Sequence, residues 1–124
     1  MTILVDSDIL IEVTRGKDPA VVEKWTALAE SEDLVLCSPV SVAELWHGAR
    51  PKEYEALTVL FSALLCIPID AQLARQAGEY LRKYHKSHNV ELGDALIAAT
   101  AVLQNAMLWT RNRKHYPMKE LNFY

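Results

Sequence analysis

Cysteine is scarce and never clustered in this chain. There are two, Cys37 and Cys66, with no Cys-x-x-Cys pair and no Cys/His spacing of the kind that grips structural zinc. Both lie in apolar runs, Leu34-Val35-Leu36-Cys37 and Leu64-Leu65-Cys66-Ile67, which predicts buried, reduced thiols rather than a disulfide. Long apolar runs are missing too: none reaches the roughly 18 residues that a membrane-spanning helix needs. The N-terminus has no basic segment, and Asp6 interrupts the stretch that could have formed the core of a signal peptide. Internal repeats and low-complexity tracts are absent. With 51% hydrophobic and 23% charged residues the composition is globular rather than disordered. The expectation is a soluble, cytoplasmic protein folded as one domain over residues 1–124.

Charge is unevenly spread. Residues 107–124 hold Arg111, Arg113, Lys114 and Lys119 against Glu120, so this segment is net +3 within a chain of −3. A polyanion is expected to dock near that segment, because the rest of the chain, at −6, would repel it.

Thr2-Ile3-Leu4-Val5 reads as a buried parallel strand ending abruptly in Asp6-Ser7-Asp8. A short helix follows from Asp8 to Gly16. Asp18-Pro19 caps the next, with Val21, Val22, Trp25, Leu28 and Ala29 on its core face. Leu34 to Cys37 is a second strand, and Ser38-Pro39 restarts a helix through Val42, Leu45 and Trp46. Tyr54, Leu57, Leu60, Phe61 and Leu64 mark another helix, running into a third strand over Cys66 to Ile69. Asp70 caps a helix carrying Leu73, Ala74, Ala77, Leu81 and Tyr84, and the polar stretch Lys86 to Asn89 ends it. Ala95 to Leu103 is apolar almost all round and predicts a buried central helix. Met107 to Thr110 is a fourth strand, and Leu121 to Phe123 a short fifth at the edge. Alternating strands and helices imply a three-layer α/β/α domain around a parallel sheet of four to five short strands.

Three acids do not suit their surroundings. Asp6 ends a buried strand, where a lone charge is costly. Glu44 lies among Val42, Ala43, Leu45 and Trp46, and Asp94 directly precedes the most apolar helix. Each has a plain alternative: Asp6 and Asp94 as helix caps, Glu44 as a solvated outer residue. Capping puts Asp6 and Asp94 at the carboxyl edge of the sheet, where ligands of open α/β folds bind, so the two accounts are compatible. Carboxylates brought together there would raise one another's pKa unless a cation neutralised them, and hard oxygen ligands select Mg²⁺ or Mn²⁺. Such an ion suits phosphodiester hydrolysis. The basic run Arg111-Asn112-Arg113-Lys114-His115 would emerge at the same edge, either as a solvated loop or as a nucleic-acid contact.

Four segments in order resemble the PIN-domain ribonucleases of the VapC type, the toxins of toxin–antitoxin pairs. They are Ile3-Leu4-Val5-Asp6-Ser7, Ser41-Val42-Ala43-Glu44-Leu45, Asp94 to Ala101, and Thr110 to Pro117. The resemblance implies Asp6, Glu44 and Asp94 as catalytic, metal-holding acids, with Ser7 and Ser41 supporting them. Many members carry a fourth acid after the last long strand. Here that segment offers only Asn112 and His115, either of which could complete the site. The resemblance further implies Mg²⁺ or Mn²⁺ as cofactor and cleavage of structured RNA, of the tRNA or rRNA class, to a 5′-phosphate and a 3′-hydroxyl. Arg111, Arg113, Lys114 and His115 would then contact RNA. It also implies inhibition by a VapB-type antitoxin and a homodimer, for which Trp46 and Tyr54 are surface candidates, although core packing accounts for them equally well. Asp8 is left as a supporting acid or a helix cap, and Glu91 as a solvent-exposed residue or a neighbour of the site.

Two rivals stand against this. Asp6-Ser7-Asp8 imitates the Asp-x-Asp motif of haloacid-dehalogenase-like phosphatases, but Ile9-Leu10 replace the glycine-threonine that follows there. A catalytically silent RNA- or protein-binding module of the same fold is the other.

Overall fold

The computed structural model describes all 124 residues. Its sheet is fully parallel, in the order β3-β2-β1-β4. β1 (Thr2–Val5) is an interior strand, pairing Ile3 with Val35 of β2 (Leu34–Cys37) and with Met107 of β4 (Met107–Trp109). The period-two pleat sends Leu4 to one side and Ile3 and Val5 to the other, and both faces are covered. That is why the strand is apolar throughout. Leu4, Leu36 and Leu108 pack under α5 (Ala71–His88) and α6 (Leu92–Leu103). Ile3, Val5, Cys37 and Trp109 pack with α1 (Ser7–Arg15), α2 (Pro19–Ala29), α3 (Pro39–Gly48) and α4 (Tyr54–Ser62). The result is the expected three-layer α/β/α arrangement.

The chain steps from β1 outward through β2 to β3, then returns to the far side of β1 to place β4. The order therefore reverses between β1 and β4, and the crevice outside their carboxyl ends is the place where such sheets bind ligands. Asp6 extends the pairing there, its N–H donating to the Trp109 carbonyl at 3.0 Å.

Several expectations need correction. The first helix starts at Ser7, because Asp6 rather than Asp8 is its cap: Asp6 Oδ1 accepts the Ser7 N–H at 2.7 Å. Asp94 is not a cap either. It lies in the first turn of α6 and reaches back, its Oδ2 accepting the Glu91 N–H at 3.1 Å. Lys86 to His88 do not end α5 but form its last turn, and the helix stops at Asn89 in the left-handed region (φ 54°). β3 is only Leu65–Cys66, since Pro68 lacks the N–H that a longer ladder needs. The fifth strand reduces to a single bridge between Leu108 and Phe123. Ala29 and Ala74 face solvent rather than the core.

Cys37 is buried as expected, but Cys66, its register partner on the edge strand, is exposed. Burial, helped by the neighbouring Cys66, pushes the Cys37 thiol up to about 12. Thiolate is the reactive form. Iodoacetamide is therefore expected to label only Cys66 in the native protein, and both thiols after unfolding; mass spectrometry that finds Cys37 labelled first would contradict the packing.

Candidate active site

Asp6 anchors the crevice. It is 7% exposed, and three donors hold its carboxylate: the Ser7 N–H on Oδ1, and the hydroxyls of Thr110 (2.8 Å) and Tyr116 (3.0 Å) on Oδ2. Thr110 is itself fixed, accepting the Asn112 N–H at 3.0 Å. Burial nonetheless pushes the Asp6 pKa up to about 6. The charge of Asp8 adds to the rise, and the bonds from Thr110, Ser7 and Tyr116 oppose it. Tyr116 is raised as well, by burial first and then by facing Asp6. Sequence reading missed Thr110 and Tyr116 as site residues. The available signal was that a buried tyrosine hydroxyl needs a partner.

Glu44 comes from α3, whose start is set by Ser38 accepting the Val40 N–H at 3.1 Å. The Ser7 hydroxyl donates to Glu44 Oε1 at 3.0 Å and lies 2.8 Å from the Ser41 hydroxyl, so Ser41 donates to Ser7 in turn. The two serines tie α1 to α3 and aim Glu44. Asp94 approaches from α6, with His115 Nδ1 3.3 Å from its Oδ2. Gly93 lets α6 come this close: a Cβ there would lie 3.3 Å from Val40 Cγ1 and 4.0 Å from Glu44 Oε1. Together with Asp8, Glu91, Asn112 and others these residues line one cleft of about 420 Å³. Five carboxylates surround it, and His115 is its one basic side chain. A second cleft, of about 400 Å³ beside Trp25, Leu34 and Leu65, is mostly apolar and has no comparable chemistry.

A PIN-domain family model matches residues 3–121. The chain belongs to the PIN-domain family. Its sequence is 42% identical over 119 residues to ribonuclease VapC10 of Mycobacterium tuberculosis, covering 95% of this chain and 88% of that one. Ribonuclease VapC19 of the same organism is 34% identical over 116 residues, covering 93% and 92%. In three dimensions the chain matches VapBC2 from Rickettsia felis, solved with a DNA fragment from the promoter. The TM-score is 0.80 over 100% of this chain and 98% of that one, at 24% identity. This PIN domain thus stands within the VapC ribonucleases.

The PIN fold brings Asp6, Glu44, Asp94, Asn112 and His115 to one cleft. Glu91 is exposed, as expected, yet lies on the same wall. The basic residues are placed differently. Arg111 turns away from the cleft, its guanidinium 3.2 Å from Asp18 and 3.4 Å from Glu12. Its N–H donates to Asp8 Oδ2 at 2.9 Å, so Asp8 and Arg111 together pin the loop after β4 onto α1. Arg113 lies over the Phe123 ring, 4.8 Å from its centroid, and Lys114 is exposed.

The donor set fits a hard divalent cation. Asp8 Oδ1 is a buried oxygen with no partner, and Asp94 Oδ1 and Glu44 Oε2 accept nothing from the protein. The Asn112 side-chain amide is equally unengaged. No three His, Cys, Asp or Glu side chains close on a single point as they stand. An ion that keeps several of its own waters, as Mg²⁺ does, does not require that closure. No helix is long and apolar enough to cross a membrane.

Proposed function

We propose that this VapC-type PIN domain is a Mg²⁺- or Mn²⁺-dependent endoribonuclease, the toxin of a toxin–antitoxin pair. The observation that carries the reading is the ring of five carboxylates at the β1/β4 crevice, buried Asp6 among them, with one basic side chain to offset them. Asp6, Glu44 and Asp94 hold the cation, and Asn112 offers its amide oxygen as a further ligand. When bound, the cation supplies Lewis-acid stabilisation of the phosphate and activation of water. Thr110, Tyr116 and Ser7 keep Asp6 oriented, Ser7 and Ser41 do the same for Glu44, and His115 braces Asp94. The whole chain, residues 1–124, acts as one unit in the cytoplasm.

Its partners in this reading are a structured RNA, a VapB-type antitoxin that blocks the cleft, and a second copy of the chain. Trp46 and Tyr54 pack against each other in a tilted pair, 5.2 Å between ring centroids, and are 37% and 45% exposed, which suits an interface. The phosphatase rival requires Asp6 as a free nucleophile, whereas three hydrogen bonds hold it in a site 7% exposed.

The direct test is incubation with tRNA and rRNA in Mn²⁺ or Mg²⁺, and again with EDTA. Cleavage should require the ion and leave 5′-phosphate and 3′-hydroxyl ends. Equal cleavage in EDTA, 2′,3′-cyclic phosphate ends, or a trapped phosphoryl group on Asp6 would each sink the reading.

A further inference from the structure

We propose that the last turns of α5 form a phosphate-binding surface that carries the RNA backbone to the acidic cleft. The inference rests on the ribonuclease reading and adds to it the path of the substrate. A cleft ringed by carboxylates repels a polyanion, so the attraction that holds RNA must come from outside it. The loop after β4 supplies less than its composition promises. Arg111 is committed to Glu12 and Asp18, leaving Arg113, exposed over the Phe123 ring, and Lys114.

The largest remaining run of positive charge is at the end of α5, the helix that leads through Asn89 and Val90 to Glu91 on the cleft wall. Arg82, Lys83 and Lys86 are all exposed, none forms an ion pair, and no acid lies between residues 80 and 90. His85 and His88 lie on the same turns, and Lys83 rests beside the Tyr84 ring at 5.4 Å. This end of α5 is firmly joined to the cleft. Asn89 turns the chain in the left-handed region, His85 Nδ1 lies 3.0 Å from the Val90 carbonyl, and the Val90 side chain is fully buried. Glu91, on the cleft wall, is three residues beyond His88, at most about 11 Å away even if the chain were fully extended. Leu92, 60% exposed, opens α6 directly after Glu91 and offers an apolar surface on which a base can rest.

Basic residues in a last helical turn also complement the helix dipole. That role covers Lys86 and the histidines, but it predicts a loss of stability and no change in RNA binding. The two accounts separate in one experiment, done in EDTA so that RNA is bound and not cut. Fluorescence anisotropy of a labelled RNA hairpin is followed across a salt series for the parent and for R82Q/K83Q/K86Q. A control triple variant, K17Q/K52Q/R75Q, has the same net charge, and its positions lie outside the cleft and the basic C-terminal segment. The α5 variant is expected to bind about tenfold or more weakly and to flatten the log affinity–log salt slope by about 2 to 3, with the control close to the parent. An unchanged slope overturns the proposal, as does an equal change in both triple variants, or a loss of melting temperature with binding intact. If the parent itself does not bind RNA, the ribonuclease reading falls first and takes the surface with it.

Discussion

Asp94→Asn is expected to lower metal-dependent RNA cleavage by at least about 10²- to 10³-fold while leaving the protein folded. The substitution is nearly isosteric, and the amide oxygen can still accept the Glu91 N–H that holds the first turn of α6. What it removes is one negative charge at the mouth of the cleft, where a hard cation depends on carboxylates rather than amides. Ser41→Ala makes the contrast. Ser41 touches Glu44 only through Ser7, so its loss should cost about 10- to 100-fold, in metal affinity as much as in rate. The check is single-turnover cleavage across a Mn²⁺ titration, with circular dichroism on each variant. Excess Mn²⁺ should largely rescue Ser41→Ala and not Asp94→Asn. Parent-like cleavage by Asp94→Asn would show that Asp94 only braces the first turn of α6 and that the chemistry lies elsewhere.

The layer architecture was legible because each strand is a short apolar run and three of the helix starts carry a capping signal. Asp18-Pro19, Ser38-Pro39 and Asp70 all cap where expected. Asp6 and Asp94 stood out because an ionised group at the end of a buried strand, or against an all-apolar helix, requires compensation; Glu44, exposed on α3, stood out only by its apolar neighbours in sequence. What a linear reading could not supply was partnership. Arg111 and Arg113 looked like free cations because Glu12, Asp18 and Phe123 are distant in sequence. Thr110 read as an ordinary strand end and Tyr116 carried no assigned role, and only the fold turns both hydroxyls onto Asp6. The basic end of α5 was hidden for a local reason. Lys86 to His88 read as a polar connector, and polarity alone does not distinguish a loop from the solvated last turn of a helix.

Asp6→Asn is expected to inactivate the enzyme and yet stabilise the metal-free fold at neutral pH. In the unfolded chain the carboxyl ionises near its ordinary value of 3.8; in the fold, burial and Asp8 hold it to about 6. Between those values the folded state binds more protons than the unfolded one, so stability falls as pH rises. Below 3.8 both states are protonated and there is no penalty. Above 6 the penalty is complete, at about 3 kcal/mol from about 1.36 kcal/mol per unit. Asparagine carries no charge and escapes it. Its amide oxygen can keep the Ser7 N–H, but its NH₂ must face hydroxyls that now have to accept, which costs about 1 kcal/mol. A net gain of about 2 kcal/mol at pH 7 remains, a rise of several degrees in Tm for a domain of this size. The gain should shrink as pH drops through 6, vanish at about pH 4.5 and turn into a loss of about 1 kcal/mol at still lower pH, where only the hydrogen-bond cost remains. A cation does for the parent what the amide does for the variant, so Mn²⁺ should raise the parent's Tm and hardly move that of Asp6→Asn. Thermal melts in EDTA and in Mn²⁺ from pH 4 to pH 8 measure both effects. A variant less stable than the parent at pH 7, or a difference independent of pH, would mean that Asp6 is simply a well-satisfied cap. On the proposed reading, what the ion relieves is the electrostatic strain of burying one carboxylate, Asp6, beside Asp8.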